Sequence, residues 1–156
     1  MDVSVIIPVF NERENLRPLH GELTEAMARL GRRYEVIYVD DGSVDGTRDV
    51  LRRIHSEDAR VRVLTFRRNF GQTAAVAAGF RHARGEIVVT LDGDLQNDPA
   101  DIPMMVAKLE EGYDLVSGWR RDRKDDFFLR RLPSLIANWI IRLTTNVRVH
   151  DYGCML

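Results

Sequence analysis

Ile87 to Gln96 reads IVVTLDGDLQ. Four strand-forming residues, Ile87, Val88, Val89 and Thr90, lead through Leu91 into two aspartates separated only by Gly93. The pattern predicts a buried strand that ends at an oxygen-rich turn. Gly93 adds no side chain and has access to backbone angles closed to other residues, so the chain can turn tightly while Asp92 and Asp94 face one point. A hard divalent cation such as Mg²⁺ or Mn²⁺, itself bridged to phosphates, is the natural occupant of such a site. An isolated Asp-Gly-Asp is more often a solvated turn. Here, however, a second acidic turn, Asp40-Asp41-Gly42-Ser43, closes another apolar run. In an open α/β sheet the carboxyl ends of neighbouring strands converge on the ligand crevice.

Outward from that stretch, strand and helix signals alternate. Val3 to Pro8 predicts a short buried strand, and Asn11 and Glu12 turn the chain into a helix over about Asn15 to Leu30. Glu35 to Val39 is the next strand, followed by the Asp40 to Gly46 loop and a helix from Thr47 to about His55. Asp45 suits the N-cap of that helix, and Asp40 suits support of the loop. Val61 to Phe66 is a third strand, ending before Asn69-Phe70-Gly71-Gln72. Thr73 to Ala83 predicts a helix whose small residues allow close approach to a sheet, and Glu86 to Leu91 is the strand of the acidic turn. Pro99 suits the first turn of a helix over Ala100 to Glu110, which Gly112 ends before a short strand from Leu115 to Gly118. The expectation is an α/β fold, with a mostly parallel sheet, right-handed crossovers and helices on both faces.

The chain has 156 residues, 44% of them hydrophobic, enough for one domain with a real core. Lys plus Arg number 23 against 24 Asp plus Glu, a formal charge of -1 that gives no global reason to expect a nucleic-acid partner. Any phosphate binding should be local. Cys154 is alone, and His20, His55, His82 and His150 show no zinc-ligand spacing. No stretch reaches the roughly 18 consecutive apolar residues of a membrane span.

After Gly118 the composition changes. Arg120, Arg121, Arg123, Lys124, Arg130 and Arg131 are mixed with Asp122, Asp125 and Asp126, as in a solvated charged loop. From Phe127 to Val147, Leu132, Leu135, Ile136, Trp139, Ile140 and Leu143 recur at helical spacing, with Arg130, Arg131 and Arg142 available to an anionic surface. Pro133 predicts a bend or break. The stripe fits a membrane surface, a core face or a homo-oligomer contact.

Taken together in order and spacing, Val5-Ile6-Ile7-Pro8-Val9-Phe10-Asn11-Glu12, Val39-Asp40-Asp41-Gly42-Ser43-Val44-Asp45-Gly46-Thr47, Asn69-Phe70-Gly71-Gln72, Leu91-Asp92-Gly93-Asp94-Leu95-Gln96 and Asp151-Tyr152-Gly153-Cys154-Met155-Leu156 resemble the GT-A glycosyltransferases of family 2. The resemblance covers nearly the whole chain. It is strongest to the polyprenyl-phosphate branch, which includes transferases of modified arabinose to undecaprenyl phosphate and of mannose to dolichyl phosphate.

The resemblance implies a GT-A, Rossmann-like core over residues 1–125 and an interfacial, acceptor-side segment over residues 126–156, in a chain truncated relative to its family. It implies a nucleotide pocket bordered by Pro8, Phe10 and Glu12, with Asp41 at the nucleobase; Asp41 can accept an N–H and Glu12 can accept ribose or base donors. It implies a metal pair, Asp92 and Asp94 around Gly93, with Asp94 the direct ligand for Mg²⁺ or Mn²⁺ and Asp92 sharing metal or ribose contacts. Gln96 would orient sugar or acceptor phosphate, and the Arg120 fork would hold phosphate oxygens. Asn138 and Asp151 match positions around the acceptor entrance. The implied reaction is inverting transfer of a sugar from a nucleotide sugar, UDP-linked in preference to GDP-mannose, to a polyprenyl phosphate at the cytoplasmic face of the membrane. A noncatalytic nucleotide-binding or membrane-scaffold fragment is the alternative.

Overall fold

The computed structural model describes residues 1–118. Among the described residues four strands form a parallel sheet: β1 (Val3–Val9), β2 (Tyr34–Asp40), β3 (Val61–Thr65) and β4 (Ile87–Thr90), in the spatial order β3-β2-β1-β4. Between them run α1 (Leu16–Leu30), α2 (Thr47–Glu57) and α3 (Gln72–His82), and after β4 a 3-10 turn over Pro99–Asp101 leads into α4 (Ile102–Leu109). Val3 to Val9 pair in register with Tyr34 to Asp40, and Val3 to Ile6 with Ile87 to Thr90.

Every residue of β1 and β2 is buried, which is why these strands read as largely apolar runs, broken only by Ser4, Glu35 and Asp40. Their alternating side chains feed two cores. Val5, Ile7, Val36 and Tyr38 pack with Leu19 and Leu23 of α1, Leu51 and Ile54 of α2, and Ile102 and Val106 of α4. On the other face Ile6, Ile37 and Val39 pack with Ala75 of α3. The helices therefore cover both faces, as expected. The small residues of α3 permit its approach: a Cβ on Gly79 would lie 2.3 Å from Ile6 Cγ2.

At the amino end of the sheet, Glu35 is almost wholly buried and accepts hydrogen bonds from Ser4 Oγ at 2.8 Å, Arg62 Nη1 at 2.9 Å and the Arg84 amide at 2.8 Å. Burial opposes its charge, but these donors outweigh burial and hold it below the ordinary glutamate range. On the helical side, Asp58 caps the turn after α2 and pairs with Arg60 at 2.8 Å. The Arg60 guanidinium holds the Asp58 carboxyl below its ordinary range. A lowered carboxylate pKa adds stability that is present above about pH 4 and is lost as pH falls through the folded-state value. Asp58→Asn is thus expected to destabilise the fold by about 1 kcal/mol at pH 7. In urea unfolding followed from pH 7 into acid, the gap between wild type and variant should close; a constant gap would refute the assignment.

Two expectations change. Leu115 to Gly118 is not a strand: these residues have no ladder partner among the described residues, and Leu115 is exposed. Only Leu115 and Val116 of the four are apolar, too short a run to hold strand geometry without a ladder partner. The helix after β4 begins later, at Ile102, after Asp98 accepts the Ala100 amide and Pro99 opens a 3-10 turn. The expectations on Arg120, Phe127 to Val147, Asn138 and Asp151 fall outside the described residues.

Candidate functional site

The carboxyl ends of β1, β2 and β4 open onto one cleft of about 460 Å³. β1 is the switch point of the topology: the chain runs from β1 out to β2 and β3, then returns to the other side of β1 as β4. Ligand crevices form at such points. One wall is Pro8, Val9, Phe10 and Glu12 after β1; a second is Asp41, Asn69, Gly71, Gln72 and Ala75; the remainder is Asp92, Gly93, Asp94 and Gln96 after β4. Every expected site residue among the described ones, from Pro8 to Gln96, thus lines one cleft. Asn69, Gly71, Gln72 and Ala75 were not foreseen as site residues; the turn signal at Asn69 to Gln72 marked the place without assigning a role.

The loops after β1 and β2 are sewn together. The Asn11 amide donates to Ser43 Oγ at 2.9 Å, and the Val44 amide donates back to Asn11 Oδ1 at 3.0 Å. The Glu12 amide donates to Thr47 Oγ1 and the Arg13 amide to Asp45 Oδ2. Asn11 adopts a left-handed backbone, φ 57°, which asparagine tolerates. The Glu12 carboxylate accepts from Asn15 Nδ2 at 2.6 Å, so it braces the start of α1 as well as facing the cleft.

The three aspartates of the second loop divide their work. Asp40 is fully buried and accepts from the Ser43 amide and from Arg48 Nε, as a loop support should. Asp45 accepts the Thr47 amide at 2.9 Å, but the N-cap position of α2 falls on Gly46, one residue later than expected. Partial burial opposes its charge, but hydrogen bonds from Thr47 and Arg13 hold it below the ordinary range. Asp41 is 3% exposed and accepts the Phe70 amide at 2.7 Å and the Gly71 amide at 2.8 Å. That bond to residues 29 and 30 positions away was invisible in the sequence, and it makes Asp41 an anchor of the third loop. A Cβ on Gly42, whose φ is +77°, would stand 2.4 Å from the Arg68 carbonyl carbon. Only glycine lets the two loops meet.

At the acidic turn, Gly93 does not take a left-handed backbone; that conformation falls on Leu95, φ 62°. Gly93 is needed for closeness, because a Cβ there would lie 2.8 Å from Val9 Cγ1 and 3.3 Å from the Pro8 carbonyl oxygen. Asp92 accepts from Gln72 Nε2 at 2.8 Å and from Asn97 Nδ2 at 3.5 Å. Asp94 accepts the Gln96 amide at 3.0 Å. No group of three His, Cys, Asp or Glu side chains gathers to hold a metal among the described residues. Two carboxylates beside an open cleft nevertheless fit a Mg²⁺ or Mn²⁺ whose other ligands are waters and phosphate oxygens, the usual form of such sites. No helix among the described residues is long and apolar enough to cross a membrane.

Residues 4–154 match the model of glycosyl transferase family 2. The chain is 48% identical over 158 residues to a dodecaprenyl-phosphate galacturonate synthase of Rhizobium johnstonii, covering 100% of this chain and 47% of that protein. It is 44% identical over 155 residues to an undecaprenyl-phosphate 4-deoxy-4-formamido-L-arabinose transferase of Shewanella sediminis, covering 99% of this chain and 46% of that protein. The chain spans about half the length of these curated relatives. Among solved structures, the mannosyltransferase PcManGT of Pyrobaculum calidifontis, in complex with GDP-Man and Mn²⁺, superimposes with a TM-score of 0.63 at 28% identity, covering 74% of this chain and 33% of that one. TarS of S. aureus in complex with UDP matches at a TM-score of 0.56 and 24% identity, over 71% of this chain and 32% of that one, a likeness of fold alone.

Proposed function

Because the chain belongs to glycosyl transferase family 2, we propose that it carries the donor-binding half of a metal-dependent transferase, which moves a sugar from a nucleotide sugar to a polyprenyl phosphate at the cytoplasmic face of the membrane. The observation that carries this reading is the convergence of Pro8 to Glu12, Asp41 and Asp92 to Gln96 on one cleft at the switch point of the sheet. The nucleoside lies along Pro8, Phe10 and Glu12, with the base toward Asp41. The diphosphate lies against Asp92, Gly93 and Asp94. Arg120, which follows the described residues, adds a guanidinium to the phosphates.

Asp94 would hold a Mg²⁺ or Mn²⁺, with Asp92 sharing it or gripping the ribose, and the ion would supply positive charge against the diphosphate leaving group. An anionic oxygen of the acceptor phosphate forms the new bond to the anomeric carbon as the bond to the nucleoside diphosphate breaks, the electron pair leaving with the diphosphate. The attacking oxygen is already anionic, so no protein base of the Ser-His kind is required. Gln96, on the cleft wall, orients the sugar or the acceptor phosphate. Attack opposite the leaving group inverts the anomeric centre. The arginine-flanked apolar stripe of Phe127 to Val147 rests on the membrane surface, which presents the lipid acceptor.

Calorimetry with UDP and GDP, with and without Mn²⁺, tests the donor site. We expect Mn²⁺ to strengthen UDP binding; a folded chain whose nucleotide affinity ignores the metal would contradict this function. Radiolabelled UDP- and GDP-sugars offered with polyprenyl phosphate in anionic vesicles then test transfer. Nucleotide binding without transfer would favour a noncatalytic role.

A further inference from the structure

We propose that Gln72 is a positioning residue that fixes the Asp92 carboxylate for the metal and diphosphate, and so ties that end of the cleft to the loop held by Asp41; this rests on the donor-site reading above. Gln72 is the first residue of α3, and its Nε2 donates to Asp92 Oδ1 at 2.8 Å. The base from which it projects is anchored on two sides. The two amides just before it, those of Phe70 and Gly71, are held by the buried Asp41, and α3 sits tightly on the sheet through Ala75 and Gly79.

Asp92 and Asp94 are oriented in different ways. Asp94 accepts an amide two residues along in its own turn, whereas Asp92 accepts from a side chain 20 positions away on another element. The bond from Asn97 to Asp92, at 3.5 Å, is at the limit of hydrogen-bond length, so Gln72 is the stronger of these two partners. A hydrogen bond to a carboxylate is also stronger than one between neutral groups. An amide donor suits this task because it orients a carboxylate without cancelling its charge. A lysine or arginine in the same place would compete with a cation for Asp92. Groups that orient metal-binding side chains commonly change metal affinity by about 10- to 100-fold when removed.

The test is a double-mutant cycle in UDP affinity, measured by calorimetry in Mn²⁺ and in EDTA, with Gln72→Met, Asp92→Asn and the pair. Methionine keeps an unbranched side chain of similar length but donates no hydrogen bond. The ratio of affinities with and without Mn²⁺ should fall about tenfold in Gln72→Met. In the Asp92→Asn background the same substitution should change that ratio less than about twofold, since contacting residues acting as a unit are not additive. Additive effects would overturn the assignment. So would a Gln72→Met chain that loses affinity equally in both conditions with a lowered melting temperature, the mark of a merely structural residue. A wild type that responds to Mn²⁺ while the cycle is additive fails only Gln72; a wild type that ignores Mn²⁺ fails the donor-site reading, and the assignment with it.

Discussion

Asp94→Asn is expected to cut the Mn²⁺-dependent gain in UDP affinity by about a hundredfold, since a direct ligand should matter at least as much as the outer groups whose loss costs up to that factor. The substitution isolates charge. Asparagine has nearly the same size, and its Oδ1 can still accept the Gln96 amide that Asp94 accepts at 3.0 Å, so the turn is preserved. What disappears is one anionic oxygen facing the cleft, and hard cations depend on such oxygens. Calorimetry in Mn²⁺ and in EDTA reads the effect as a ratio of affinities. If the ratio matches that of wild type, Asp94 is not the ligand.

Gly42→Ala should be the most damaging of the conservative glycine changes outside the helices. Two costs coincide there. The left-handed backbone, φ +77°, costs an L residue about 1–2 kcal/mol, and the new methyl group would overlap the Arg68 backbone at 2.4 Å, where relief of overpacking typically costs another 1–3 kcal/mol. The sum, about 3 kcal/mol, corresponds to a drop of roughly 6–12 °C in Tm for a chain of this size. Gly31→Ala is the control: its φ is +69° but nothing lies within 4 Å of its Cβ, so only the first cost of about 1 kcal/mol applies. Thermal melts of both variants decide the matter. Equal losses would show that the loop carrying Arg68 simply moves aside.

β1 and β2 were legible because burial on both faces leaves its mark as a mostly apolar run, and neither strand carries an exposed residue. The same rule misled at Leu115 to Gly118, where only two residues are apolar and no ladder partner is found among the described residues. Within the site, residue types were legible and tertiary duties were not. Asp40 accepts the Ser43 amide and Asp45 the Thr47 amide, local bonds that follow from spacing, whereas the Arg13 amide that Asp45 also accepts lies 32 positions away. Asp41 reaches Phe70 and Gly71, and Asp92 reaches Gln72; no local pattern encodes those pairs. Gly93 showed that something forbids a side chain, but spacing cannot distinguish a left-handed turn from the closeness of Val9. Leu95 gave no signal for its own left-handed backbone, a conformation that leucine adopts only when its surroundings impose it.

The stitching of residues 11–13 to residues 43–47 bears on how a different donor preference could be transplanted into this scaffold. Neither loop owns its shape, since each lends side-chain oxygens to the amides of the other. A graft of residues 43–47 alone would leave the amides of Asn11, Glu12 and Arg13 facing strangers, and a graft of residues 11–13 alone would do the same to Val44. The two loops are one inheritable module, and exchanging them together is the way to alter this wall of the cleft without unravelling it.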